Sequence, residues 1–158
     1  MNKYPITPQG FKQLTDELHK LKTVDRVANI ADIDEARKQG DLSENAEYSA
    51  AKEQQSLIAT KIQKLETYIN CAQIIDTANI FNGETVIFGV TVVLLSEGEE
   101  FCYKIVGEYE ADVKINKISI MTPLARALIG KKVGDEFVIK LPNQEEREYS
   151  ILNVYYAD

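Results

Sequence analysis

The sequence predicts an α+β chain: an N-terminal antiparallel α-helical coiled-coil hairpin, then a small α+β domain with a curved antiparallel sheet. Three observations predict it. Between Phe11 and Asn82 there is no proline, and Gly40 is the only glycine, so the strongest breakers of helical pattern are missing on both sides of one point. Apolar residues in that run recur at steps of three and four, as a helical seam requires. From Thr85 onward the chain turns β-branched and alternating, punctuated by Gly and Pro, which reads as short strands. Residues 1–76 are assigned to the hairpin and 77–158 to the second domain.

The first helix starts at Thr7-Pro8, a cap followed by proline at the first helical position. Phe11, Leu14, Leu18 and Leu21 then form a seam. Continued through Val24, Ala28 and Ala31, the seam falls one residue out of heptad register, so a local change of winding is expected. At ~1.5 Å per residue, Gln9 to Gln39 would span ~45 Å. Gly40 is expected to close this helix in the left-handed conformation. Asp41, with Glu44 three residues later, is expected to open the next as a capping box.

The second helix is more regular: Tyr48, Ala51, Gln55, Ile58, Ile62, Leu65, Ile69 and Ala72 repeat in alternating steps. Its seam is large and apolar at the base, then small or polar toward the turn, which suits a slender projecting finger. Asp32, Asp34, Glu35, Asp41, Glu44, Glu47 and Glu53 face only Arg37, Lys38 and Lys52 in the distal part. Such a tip belongs in water or against a partner, not in a core. The bland reading is a hairpin used only for packing, but its faces lack the apolar stripe that a third helix would need.

In the second domain, Thr85–Leu95 is expected as a strand bent at Gly89, with Phe101–Val106 returning after a Glu97-Gly98 turn. Lys117–Met121 is a further candidate strand. Thr122-Pro123 repeats the cap-then-proline start for a short helix, Leu124–Ile129, stopped by Gly130. Phe137–Leu141 and Tyr149–Tyr155 complete the strands.

Composition limits what this chain does. Its net charge is -7, with ten Lys/Arg against twelve Asp/Glu in residues 1–76 and eight against thirteen in 77–158. Without a basic stripe it is a poor candidate for gripping duplex DNA alone, because phosphate neutralisation supplies most of that affinity. Another protein is expected to hold any nucleic acid it works on. Cys71 and Cys102 are the only cysteines and no zinc spacing occurs. No signal peptide or membrane-length apolar run is present, which fits a reduced cytoplasm.

His19, the only histidine, lies far from the tip, and no phosphate loop or serine–histidine arrangement appears. That leaves Asp41 and Glu44. An Asp-x-x-Glu before a helix is ordinarily a cap, contributing ~1 kcal/mol. The alternative is a pair of hard oxygen ligands for Mg²⁺, which is commonly shared between one or two carboxylates, waters and phosphates. Two carboxylates on a narrow tip make half a site, one that a second protein would complete.

The stretches Glu35-Ala-Arg-Lys-Gln-Gly-Asp-Leu-Ser-Glu-Asn-Ala-Glu-Tyr48, Ala50-Ala-Lys-Glu-Gln-Gln55, Val86-Ile-Phe-Gly89 and Thr122-Pro-Leu-Ala-Arg-Ala-Leu-Ile-Gly-Lys131 decide more than spacing does. Through them the chain resembles the bacterial GreA/GreB family of transcript-cleavage factors over essentially its whole length. The resemblance implies a coiled-coil finger and an FKBP-like C-terminal domain. The finger would enter the secondary channel of a backtracked RNA polymerase, whose own active site would cleave the extruded RNA 3′ end. The factor itself would be no enzyme, would work as a monomer and would have no membrane partner.

Carried over by position, Asp41 and Glu44 fall on the family's tip acids. One would help hold the second Mg²⁺, shared with the polymerase and absent from the free protein; the other would orient the attacking water. Arg37 and Lys52 fall on the basic spot facing the RNA 3′ end, and Thr122 and Pro123 on the loop that docks on the polymerase rim. Lys52 stands where the family often has arginine, and Thr122 where it often has serine; each keeps the charge or the hydroxyl. Two rival readings remain: a channel occupant that inhibits polymerase without cleavage, and an FKBP-like prolyl isomerase or chaperone. The second would rest on fold analogy, which does not license function.

Overall fold

A computed structural model describes residues 2–40 and 45–157, and they fold as two compact units. Phe11–Cys71 forms the hairpin unit; the residues up to Gly10 join those from Ala72 onward in the other.

The first arm of the hairpin runs through α1 (Pro8–Lys20), a π-helical turn (Leu21–Asp25) and α2 (Arg26–Arg37); the second is α3 (Ala46–Cys71). Leu14, Leu21, Asn29, Ile33 and Ala36 are buried on the first arm, and Ile58, Ile62 and Leu65 on the second. The expected change of winding is present, but the seam leaves it in a different direction. Val24 is 55% exposed, and Ala28 and Ala31 are exposed as well. A π turn carries one residue more than an α turn, so the buried stripe resumes at Asn29 and Ile33.

Asn29 is a polar residue in an apolar seam, and its partner explains it. Its Nδ2 donates to the Ala51 carbonyl of α3 at 2.9 Å, which satisfies the buried amide. A slide of α3 would break that bond, so Asn29 sets the register of the two arms as a lone seam asparagine does in coiled coils.

Among the described residues the other unit holds two sheets. β1 (Tyr4–Ile6) runs parallel to β2 (Ala72–Ile74), Tyr4 opposite Ala72. Among the described residues a five-stranded sheet has the order β5-β4-β3-β7-β6, formed by β3 (Thr91–Ser96), β4 (Glu99–Val106), β5 (Lys117–Ser119), β6 (Glu136–Lys140) and β7 (Glu146–Tyr155). It is mixed: β5 runs parallel to β4, and the other neighbours are antiparallel. The short helix α4 (Pro123–Leu128) contributes Ala125 and Leu128 to a core with Val92, Leu94, Ile105 and Ile151. Each large apolar side chain buried there contributes ~1.5–3 kcal/mol.

The expected strand over Thr85–Leu95 is only half realised. Val86 and Val90 are fully buried, yet the backbone of Val86 bonds Lys131 and Gly130 after α4, and Gly89 turns the chain at φ +88° before β3 begins. β-branched residues fill the core here without entering the sheet.

The start of α1 is fixed by more than its cap. Thr7 Oγ1 accepts from Gly10 N at 3.0 Å, as the Thr7-Pro8 signal predicts. Glu110 then accepts from Thr7 N at 2.8 Å, from Gly107 N at 3.1 Å and from the Thr7 hydroxyl. A carboxylate at a helix N-terminus is favoured by the helix dipole, so Glu110 fastens Thr7, directly after β1, to the chain after β4. Among the described residues no helix is long and apolar enough to cross a membrane.

Candidate functional site at the hairpin tip

The tip is assembled by the end of α2 and the start of α3. Lys38 N donates to Glu35 O and Gln39 N to Ala36 O, both at 3.2 Å, tightening the last turn of α2 as helix ends commonly do. Gly40 follows at φ +118° with open space around it. It adopts the left-handed region that glycine enters without a Cβ penalty. Asp41 and Glu44, the two sequence-predicted acids, lie outside the described residues.

The cap of α3 is Asn45. Its Oδ1 accepts from Tyr48 N at 3.1 Å, three residues into the helix, which is the N-cap bond. Its Nδ2 donates back at 2.8 Å to the Ala36 carbonyl, which also accepts from Gln39 N in the last turn of α2. One side chain thus opens the second helix and fastens it to the end of the first. The signal is present in the sequence as an asparagine directly before the helical run, although Asp41 and Glu44 also match capping-box spacing. Asn45→Ala is expected to cost about 1 kcal/mol for the cap alone, with a further loss for the Ala36 bond. Asn45→Asp keeps the acceptor and loses only the second bond. Thermal melts of both variants check this, and the alanine variant should be the less stable.

Arg37 lies in the last turn of α2, exposed, with its guanidinium 4.0 Å from Asp34. That distance and exposure leave it free to engage another anion, because such surface pairs are worth ~0–1 kcal/mol. Lys52 is on the exposed side of α3 and donates to Gln55 Oε1 at 2.8 Å. On one side of the finger a groove of about 410 Å³ is lined by Asp32, Glu35 and Glu47 together with Asn29, Ala51 and Gln54.

Thr122 and Pro123 lie in the other unit, at the head of α4. Thr122 Oγ1 accepts from Ala125 N at 3.3 Å and donates to Ser119 O at 2.8 Å, and Pro123 sits at the first helical position. The cap reading of Thr122 therefore holds in full. What it leaves available to a partner is the exposed Pro123 ring, beside Met121 at 54% exposure.

Comparison with known proteins covers nearly the whole chain. The family described as "Transcription elongation factor, N-terminal" matches residues 4–74, and "Transcription elongation factor, GreA/GreB, C-term" matches 82–156. The chain is 49% identical to transcription elongation factor GreA of Alkalilimnicola ehrlichii over 159 residues, 99% of this chain and 100% of that one. It is also 49% identical to GreA of Legionella pneumophila strain Corby, covering 99% and 98%. Among solved structures, GreA factor homolog 1 of Thermus thermophilus aligns at 25% identity and TM-score 0.44, over 98% of this chain and 99% of that one.

Proposed function

The chain belongs to the GreA/GreB family of transcription elongation factors, and from that premise we propose that it rescues arrested bacterial RNA polymerase by stimulating cleavage of the backtracked RNA 3′ end. The finger enters the secondary channel, inside the cell, and the bond broken is an RNA phosphodiester at the polymerase's own active site. The observation that carries this reading is the division of labour at the tip. Asn45 accepts the first-turn N–H of α3, so capping does not require the Asp41 carboxylate. The Asp41 and Glu44 carboxylates are thus not needed for that bond.

Asp41 and Glu44 offer carboxylate oxygens, the donor type that Mg²⁺ takes, and are the residues that would help hold it. When bound, the ion neutralises charge developing on the phosphate and lowers the pKa of a bound water. The chain's own contribution would be one carboxylate to help hold the ion and the other to orient the attacking water. Arg37 and Lys52 hold the RNA end by its phosphates. Pro123 and its exposed neighbours rest on the channel rim.

A halted elongation complex with labelled RNA tests the reading. Adding the protein should shorten the backtracked RNA from its 3′ end many times faster than the polymerase does alone. Slowed nucleotide addition without any shortening would instead identify a channel occupant and overturn the proposal.

A further inference from the structure

Among the described residues β6 (Glu136–Lys140) is one edge of the five-stranded sheet. Ile151 N donates to Asp135 O at 2.9 Å and Leu141 N to Glu145 O at 2.7 Å. In an antiparallel ladder alternate residues bond the same neighbour, so the odd-numbered residues of β6 turn their backbone groups to β7. Glu136, Val138 and Lys140 turn theirs outward, and nothing among the described residues bonds them there. The strand itself is firmly seated. Phe137 stacks on Tyr149 with 5.4 Å between ring centroids, and Lys131 Nζ lies 5.6 Å from the Phe137 ring. On the opposite face of the strand Val138 is 56% exposed. Neither Glu136 nor Lys140 forms an ion pair among the described residues.

We propose that β6 pairs with β6 of a second copy of this chain, antiparallel about a two-fold axis at Val138. The stretch Glu136-Phe-Val-Ile-Lys140 is self-complementary in that arrangement. Glu136 of each copy meets Lys140 of the other, Val138 meets Val138, and Phe137 lies beside Ile139. The residues that meet as Glu136–Lys140 and Val138–Val138 are those with outward backbone groups, so each pair also exchanges ladder hydrogen bonds. Other pairings fail. A parallel, in-register pair sets Glu136 beside Glu136, and like charges directly opposite are destabilising. A two-residue slip toward Pro142 sets Lys140 against Val138 and Glu136 against a residue with no N–H. Charged side chains on an edge strand ordinarily guard it against pairing. Here they guard it against other strands but not against a copy, in which each charge finds its opposite. The pair uses up both edges, so it closes as a dimer and does not propagate. Five paired residues make a weak contact, one that forms in the free protein at high concentration. It does not rest on the function proposed above.

Sedimentation equilibrium of the full chain at rising concentration should show a monomer–dimer equilibrium with no larger species. Lys140→Glu turns both charge pairs of the dimer into like-charged ones, and so does Glu136→Lys. Each change should weaken dimerisation about tenfold or more, since opposite charges across a ladder attract and like charges repel. Both side chains are exposed, so the fold should survive either change. An equimolar mixture of the two variants should dimerise again, because each chain then carries one sign and meets the other. That recovery also guards against misfolding, since a damaged strand would not regain its partner. Both changes in one chain should restore the parental dissociation constant. An intact chain that stays monomeric at every concentration would overturn the pairing. So would a dimer indifferent to both reversals, or a mixture that associates no better than its components.

Discussion

Asp41→Asn and Glu44→Gln are expected to abolish most transcript cleavage while leaving helicity and polymerase binding intact. The cap and metal readings of these acids separate cleanly here. Asparagine caps a helix as well as aspartate does, and the N-cap bond of α3 to Tyr48 N comes from Asn45, which both substitutions leave in place. What each removes is the negative charge that a hard divalent cation requires, at almost constant size. Retained binding has a second consequence. An excess of either variant should compete with the intact protein for the channel and act as an inhibitor. Co-sedimentation with polymerase, circular dichroism and a mixed cleavage assay read the three quantities separately. A variant that loses binding in proportion to activity would place these acids in docking rather than in chemistry.

The largest expected effect on stability lies far from the tip. A methyl group on Gly107 would overlap the Pro5 carbonyl oxygen, a backbone atom that cannot turn aside. Gly107→Ala must therefore push β1 away from the chain after β4. That shift loosens Ile6, which is fully buried, and pulls Thr7 off Glu110. Overpacking costs ~1–3 kcal/mol, and partial loss of an isoleucine adds to it, so a total of about 3 kcal/mol is expected. For a unit of this size that lowers Tm by roughly 10 °C or more. The same change at Gly98, where a Cβ would meet open space, serves as a comparison for its left-handed backbone alone. A Gly107→Ala melt within a degree or two of the parent would mean that β1 yields without cost.

Much of this architecture was legible because its signals are local. Thr7-Pro8 and Thr122-Pro123 each start a helix as expected, since a hydroxyl and a proline act on the next three residues whatever lies elsewhere. Gly40 ends α2 with positive φ, and the second seam holds at Ile58, Ile62 and Leu65. Features that depend on distant partners were not legible. The seam past Leu21 was placed on Val24 and Ala28; the π turn shifts it to Asn29, which only its bond to Ala51 makes intelligible. Three residues of β1 carry no periodicity, and their pairing with β2 is set by contacts 68 positions away. Val86 and Val90 look like strand residues because burial and sheet pairing select the same side chains.

At the site the balance is similar. Arg37, Lys52, Thr122 and Pro123 were identifiable by position in motifs and are exposed or half-exposed where a partner can reach them. Asn45 is hard to single out from sequence, because a carboxylate pair at capping-box spacing stands nearer the glycine.

The central claim is that the tip acids of this chain serve a metal ion in cleavage rather than a helix end. Its most direct test is the cleavage rate of the Asp41→Asn variant against the intact protein as Mg²⁺ is raised from limiting concentration, in halted elongation complexes. The account predicts a rate far below the parent at limiting Mg²⁺, recovering in part as Mg²⁺ rises or Mn²⁺ is supplied, because a weakened half-site refills by mass action. Cleavage by Asp41→Asn at the parental rate under limiting Mg²⁺ would contradict it.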